Sequence, residues 1–120
     1  MEMPKPDPAA ERQFEQLRPD QPNVTSRKVF GHPAAFVNGN MFFGVFGPEL
    51  FVRLSDRDSV AAASVPGFRP FEPMPGRPMR GYLVLPTAVR AKPVEARRWI
   101  RRSLEFASGL PPKKAKPRSK

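Results

Sequence analysis

The sequence predicts an α+β fold in two layers, an antiparallel sheet with helices covering one face, and three stretches of chain carry that expectation. In Ala35-Phe36-Val37-Asn38-Gly39-Asn40-Met41-Phe42, an Asn-Gly pair sits between apolar β-formers. Both residues tolerate positive φ, which a two-residue hairpin turn requires. After a second turn at Gly47-Pro48-Glu49, the segment Leu50-Phe51-Val52-Arg53-Leu54 alternates and puts Leu50, Val52 and Leu54 on one side. Towards the end of the chain, Ala96, Trp99, Ile100, Ser103, Leu104 and Ala107 share one face of a helix that Pro93 opens and Gly109 stops. Strands joined by turns this short run antiparallel, and an amphipathic helix needs a sheet against which to bury its stripe.

The remaining elements follow in order. Asp7 is an N-cap with Pro8 at the first helical position, and Ala10, Phe14 and Leu17 form a short apolar stripe. Arg18-Pro19 ends that helix, because proline disfavours a helical residue before it. Asp20 to Ser26 reads as a loop leading into Arg27-Lys28-Val29-Phe30-Gly31, and His32, beside Pro33, reads as a turn residue. Ser55 caps a short helix from Asp56 to about Ser64, with Asp56 and Asp58 suiting the dipole of its first turn, and Val65-Pro66-Gly67 closes it. Phe68 to Pro78 is proline-rich and irregular, and Met79 to Leu85 is a further strand. The order is therefore helix, three strands, short helix, one or two strands, long helix.

At 120 residues the chain suits one domain, and 39% hydrophobic content with ten phenylalanines supplies a core. The 17 prolines are about three times the ordinary share and follow no period, so they act as punctuation. Residues 1–7 are expected to be a disordered N-terminus, 8–110 the domain and 111–120 a basic disordered tail. The absence of cysteine excludes disulfides, zinc ribbons and thiol nucleophiles, and makes a reducing cytoplasm the expected compartment. The first seven residues offer no apolar segment for a signal peptide. The longest apolar run, Met41 to Gly47, is far short of the roughly 20 residues a bilayer requires, so no membrane partner is expected.

The net charge of +10 is concentrated in residues 90–120, which hold 11 basic residues against two acids. On the last helix Arg97 and Arg101, and Arg98 and Arg102, are like-charge pairs four residues apart. Such pairs cost a helix a few tenths of a kcal/mol each, and only Glu105 offsets them. With Lys113, Lys114 and Lys116 they form a candidate polyanion-binding surface. Arg77 and Arg80, with Arg69 and Arg53 not far in sequence, form a candidate clamp for a carboxylate or phosphate, although Glu72 offers a local partner. Other chemistry is thin. A single histidine makes no triad or metal pair, Asp56 and Asp58 are explained by capping, and Gly39, Gly44 and Gly47 match no phosphate loop. Phe42, Phe43 and Phe46 could stack bases on a sheet face, but their hairpin must also supply the core. No catalytic residue, metal ligand or cofactor is assigned.

Phe30-Gly31, the hairpin Phe36 to Phe42, the strand Leu50 to Leu54, the run Phe71-Glu72-Pro73-Met74-Pro75-Gly76-Arg77-Pro78-Met79-Arg80, and Tyr82-Leu83-Val84-Leu85-Pro86 with the final helix resemble the TfoX N-terminal domain family. The likeness runs from about residue 10 to 112, departing where His32-Pro33 stands in place of the family's frequent second glycine. It implies a two-layer α+β arrangement related in shape to the secretion-chaperone fold, and a regulatory or interaction role without catalytic residues. Full TfoX (Sxy) regulators of natural competence add a C-terminal domain and act with a transcription activator. A chain of 120 residues leaves no room for that domain, so competence control is not carried over. Two functions remain. One is an interaction or regulatory module with a protein partner, with a homodimer allowed. The other is weak, non-specific nucleic-acid binding through the last helix and tail.

Trp99 is the sole tryptophan and stands on the apolar face of the last helix. Trp99→Ala should therefore cost about 3–5 kcal/mol in urea denaturation. An unshifted midpoint would place the indole outside the core.

Overall fold

The structure, a computed structural model, describes residues 4–113. Among them the chain forms α1 (Pro8–Leu17), β1 (Val24–Val29), β2 (His32–Val37), β3 (Asn40–Phe46), β4 (Glu49–Arg53), α2 (Asp56–Ala62), β5 (Arg69–Pro70), β6 (Tyr82–Val84), α3 (Thr87–Arg90) and α4 (Pro93–Ser108). The six strands make one antiparallel sheet in the order β1-β2-β3-β4-β6-β5. Helices α1 and α4 lie on one face of it, against β2, β3 and β4. The two-layer α+β architecture is the one expected.

Local chemistry sets the helix ends and turns. The Asp7 carboxylate accepts from the backbone N–H groups of Ala9 and Ala10, and the Ser55 hydroxyl accepts from that of Asp58. Asn38 and Gly39 turn the β2–β3 hairpin at φ 51° and 79°. Phe30 and Gly31, at φ 55° and 81°, build an equivalent turn between β1 and β2. A left-handed phenylalanine is unfavourable by itself. Here the ring meets Phe46 edge to face at 6.3 Å while remaining largely exposed.

That first hairpin corrects two expectations. The segment read as a loop up to Ser26 is strand from Val24 onward, paired with β2 from Val24↔Val37 to Val29↔His32. Thr25 to Lys28 are all exposed, so the strand shows none of the alternation that marks a half-buried one. His32 is not a turn residue, because Phe30-Gly31 has already made the turn. It is buried in β2 with its ring tilted against Phe46, and its Nδ1 finds no hydrogen-bond partner among the described residues. Pro33 also lies within the strand. Pairing of β2 with β3 runs from Val37 to Ala34 and stops there, beside the one residue of β2 that has no N–H to donate.

The main core lies between the sheet and α1 and α4. Phe14 stacks on Phe43 at 4.8 Å, and Leu50, Val52, Ile100 and Leu104 join them. Trp99 is buried in this core and meets Phe68 edge to face at 4.9 Å. The β2–β3 register shifts between Ala35 and Phe36, which face Phe43 and Met41, so Phe42 is an extra residue. The bulge sends both Phe42 and Phe43 into the main core. Pairing with β4 begins only at Phe43↔Val52, so Phe42 has no ladder partner on either side. The hydroxyl of Ser103, buried on α4, fills the gap. It donates to the Phe42 carbonyl at 2.6 Å and accepts from the Arg53 N–H at 3.1 Å.

The second half of the chain differs in detail from expectation. The strand expected over Met79 to Leu85 is shorter, Tyr82–Val84, and the irregular stretch before it contributes the two-residue β5. Helix α3 was not expected. Its Arg90 donates to Gln13 Oε1 at 2.9 Å and to the Pro48 carbonyl at 2.7 Å, tying α3 to α1 and to the β3–β4 turn. Past Leu110, the Lys113 N–H donates to the Asn38 carbonyl at 2.8 Å, and Asn40 Nδ2 donates to the Pro111 carbonyl at 3.1 Å. A Cβ at Gly39 would collide with the Lys113 carbonyl oxygen. Residues 111–113, the start of the tail expected to be disordered, lie against the hairpin. The remainder of the expected tail, 114–120, and residues 1–3 of the expected N-terminus fall outside the described residues.

Ser103→Ala removes the group that satisfies both Phe42 and Arg53. Each polar group left unpaired in the interior costs about 1–3 kcal/mol, so the variant should lose at least that much in urea denaturation. A loss below about 0.5 kcal/mol, the usual scale for surface changes, would show that the two backbone groups find other partners.

Candidate functional site

The face of the sheet turned away from α1 and α4 carries the site. Along β4, Leu50 and Val52 enter the helix-side core while Phe51 points the other way, as strand alternation requires. Phe46, Phe51, Tyr82 and Val84 gather there with Phe71. Phe71 stacks on Phe51 at 4.2 Å and meets Phe46 edge to face at 5.4 Å. Its segment is pinned by Phe71 N–H to the Tyr82 carbonyl, 3.0 Å, and Met79 N–H to the Phe71 carbonyl, 2.8 Å. The 71–81 connection therefore covers one part of this face.

Towards the β2–β3 hairpin the face opens into a cleft of about 480 Å³, bordered by Arg27, Phe36, Asn40, Met41, Arg53, Met79, Tyr82 and Lys113. Among its described lining residues three are cationic and none is acidic. Strand register places the two arginines. Arg27 stands opposite Ala34, so its side chain reaches diagonally over the Phe36 ring, 4.1 Å from the centroid. Arg53 stands opposite Tyr82 and lies 5.5 Å from that ring and 5.6 Å from Phe106. Among the described residues neither arginine forms an ion pair. The rings hold the guanidinium groups in place and leave N–H donors at their edges, an arrangement suited to a carboxylate or phosphate.

Tyr82 closes the floor by donating from its hydroxyl to the Met41 carbonyl at 2.9 Å. Burial raises the pKa of this phenol, and the positive charge of Arg53 partly opposes the shift.

The expected site residues are distributed differently. Arg97 and Arg101 line a cleft of about 370 Å³ between the end of α1 and α4, together with Arg18 and Asp20. Arg18 is paired with Glu15 at 3.1 Å, and Arg97 reaches the Gln16 carbonyl at 3.5 Å. Arg102 turns to the opposite side of α4, 3.8 Å from Asp58 and over the Trp99 ring at 5.1 Å. Arg98 is exposed between these two flanks. The helix thus divides its four arginines, and part of their charge is met internally. Lys113 borders the sheet cleft, whereas Lys114 and Lys116 fall outside the described residues. Arg77 and Arg80 are both exposed, Arg77 within a turn closed by its N–H to the Met74 carbonyl, and neither borders the sheet cleft. Arg69 pairs with Glu49, and Glu72 accepts from the Gly76 N–H. Phe42 and Phe43 are wholly buried and Phe46 nearly so, which leaves none of them able to stack a base. The sequence reading missed Arg27 as a site residue. Its signal was a position two residues before Val29 on a strand, which becomes visible only once β1 is known to start at Val24.

Among the described residues no group of three or more His, Asp or Glu side chains could hold a metal ion, and no helix is long and apolar enough to cross a membrane. Fold and cleft together define a small α+β domain with one sheet face packed by helices and the other bearing a basic, aromatic-floored groove. The model of the TfoX N-terminal domain matches residues 15–107, and the chain belongs to that family. A search of the curated proteins finds no match.

The raised pKa of Tyr82 has a definite sign. Folding favours the neutral phenol, so this contribution is complete below the ordinary tyrosine pKa of about 10 and is lost as pH rises through the higher folded-state value. Tyr82→Phe should cost about 1 kcal/mol at neutral pH through the lost hydrogen bond. The gap between variant and parent in urea denaturation should narrow in alkali, and a constant gap would show an unperturbed phenol.

Proposed function

We propose that this domain is a non-enzymatic interaction or regulatory module of the cytoplasm that docks a protein partner on the open face of its sheet. The observation that carries this is the cleft in which Arg27 and Arg53 lie over aromatic rings with no acid among the described lining residues. Guanidinium groups seated over aromatic rings, with no ion pair among the described residues, lie beside half-buried Met41 and Met79 and combine features of interface hot spots, an arginine anchor with adaptable apolar contacts. Membership of the TfoX N-terminal domain family supports a regulatory or interaction role in general terms. The alternative, nucleic-acid binding through α4 and the tail, gains less support. Phosphate tracking needs cations on one continuous surface, and the α4 arginines split between two flanks.

The test is affinity capture from source lysate on the immobilised full chain, with and without nuclease. The parent should retain a protein whose recovery is insensitive to nuclease. Arg27→Gln with Arg53→Gln should weaken capture at least tenfold, while Arg97→Gln with Arg101→Gln should leave it unchanged. Capture that vanishes with nuclease, and with the α4 variant but not the cleft variant, would assign the function to nucleic acid instead.

A further inference from the structure

We propose that the docked segment is an extended acidic peptide that adds to β1 as a seventh strand and sets a carboxylate on Arg27. The proposal rests on the reading of the sheet cleft as a docking surface and specifies the partner's chemistry.

Among the described residues strand β1 ends the sheet and is paired only by β2. Every second residue of an edge strand turns its N–H and C=O away from its neighbour, and proteins ordinarily blunt such edges. The opposite edge is blunted, since β5 has two residues and one of them is Pro70. By contrast β1 runs for six residues, has no proline and keeps an unbroken register with β2. Thr25, Ser26, Arg27 and Lys28 are all exposed. A strand this long and open is a template for main-chain pairing.

Charge selects the occupant. Arg27 and Lys28 are consecutive, so they project to opposite faces of the sheet, and β1 contains no acid. A strand laid beside them meets a cation on each face, and opposite charges across neighbouring strands stabilise pairing while like charges oppose it. Two adjacent acids in a peptide satisfy both cations. Arg27 is also the residue that links edge and cleft, because its guanidinium lies over Phe36 inside the groove. A second copy of this chain would bring its own Arg27 and Lys28 to the same edge and be repelled. A single-stranded nucleic acid would need open aromatic faces, yet Phe36 and Tyr82 are buried with Arg27 and Arg53 over their rings.

The experiment uses the full chain and a labelled eight-residue peptide of valine and threonine with two central acids, followed by fluorescence anisotropy and amide hydrogen exchange. Comparison probes are the same peptide with the acids replaced by their amides, the acidic peptide N-methylated at alternate backbone positions, and an eight-nucleotide single strand. The acidic peptide should bind at least tenfold more tightly than each of the three. Arg27→Gln should remove most of that advantage, and exchange should slow along β1. Equal binding of the amide or N-methylated peptide, no binding of the acidic peptide, or tighter binding of the oligonucleotide would overturn the proposal. So would a dimer in gel filtration with β1 already protected. If lysate capture depends on Arg27 and Arg53 but excess acidic peptide does not displace it, the docking face stands and strand addition is wrong. If capture ignores both arginines, the docking face itself is wrong.

Discussion

The hydroxyl of Ser103 sits where a hydrogen bond of the sheet is missing. Phe42 is the extra residue of a bulge, and neither β2 nor β4 offers its carbonyl a partner in register. A carbonyl left bare in the apolar interior would be costly, and so would the Arg53 N–H beyond the end of the β3–β4 pairing. One small side chain from α4 serves both at once. Three arrangements depend on it. The bulge can rotate Phe42 and Phe43 together into the main core, α4 is fixed in azimuth over the centre of the sheet, and β4 is held in the position from which Arg53 reaches Tyr82.

Fixing α4 this way gives the sheet two unlike faces. The helix side is a closed apolar core built from α1, α4 and the inward residues of the central strands. The other side is only partly closed, by the Phe71 segment folding back through its bonds to Tyr82 and Met79. What remains uncovered lies near the hairpin, where the described end of the chain also docks through Lys113. Arginine suits this intermediate zone because its stem and planar head cover an aromatic ring while its donors stay outward. The same residues therefore shield Phe36 and Tyr82 from water and present charge to an incoming group.

The α4 arginines illustrate how a linear count of charge can mislead. Arg97, Arg98, Arg101 and Arg102 look like one stripe, yet the flanks of a helix face different neighbours. Arg97 and Arg101 meet the end of α1, and Arg102 meets Asp58 of α2 and the face of Trp99. In β1 and β4, two arginines separated by 26 positions converge because strand pairing brings their rows to one face.

Local chemistry was legible wherever one residue type dictates one conformation. Asp7-Pro8 and Ser55 began helices, Asn38-Gly39 turned a hairpin, and the spacing of Ala96, Trp99, Ile100, Ser103, Leu104 and Ala107 named the buried face of α4. Those signals fixed the layered α+β class and most of the main core by themselves. Strand β1 was not legible up to Ser26, because an exposed edge carries no apolar alternation, and neither was the Phe30-Gly31 turn, because phenylalanine rarely accepts positive φ. His32 was misplaced for the same reason, one turn displaced. Arg27 over Phe36, Arg53 over Tyr82 and Ser103 between Phe42 and Arg53 each join residues distant in the chain. Their meeting depends on register, and register depends on a bulge whose energy balances backbone hydrogen bonds against the burial of two phenylalanines. Only the assembled sheet and helix could decide that balance.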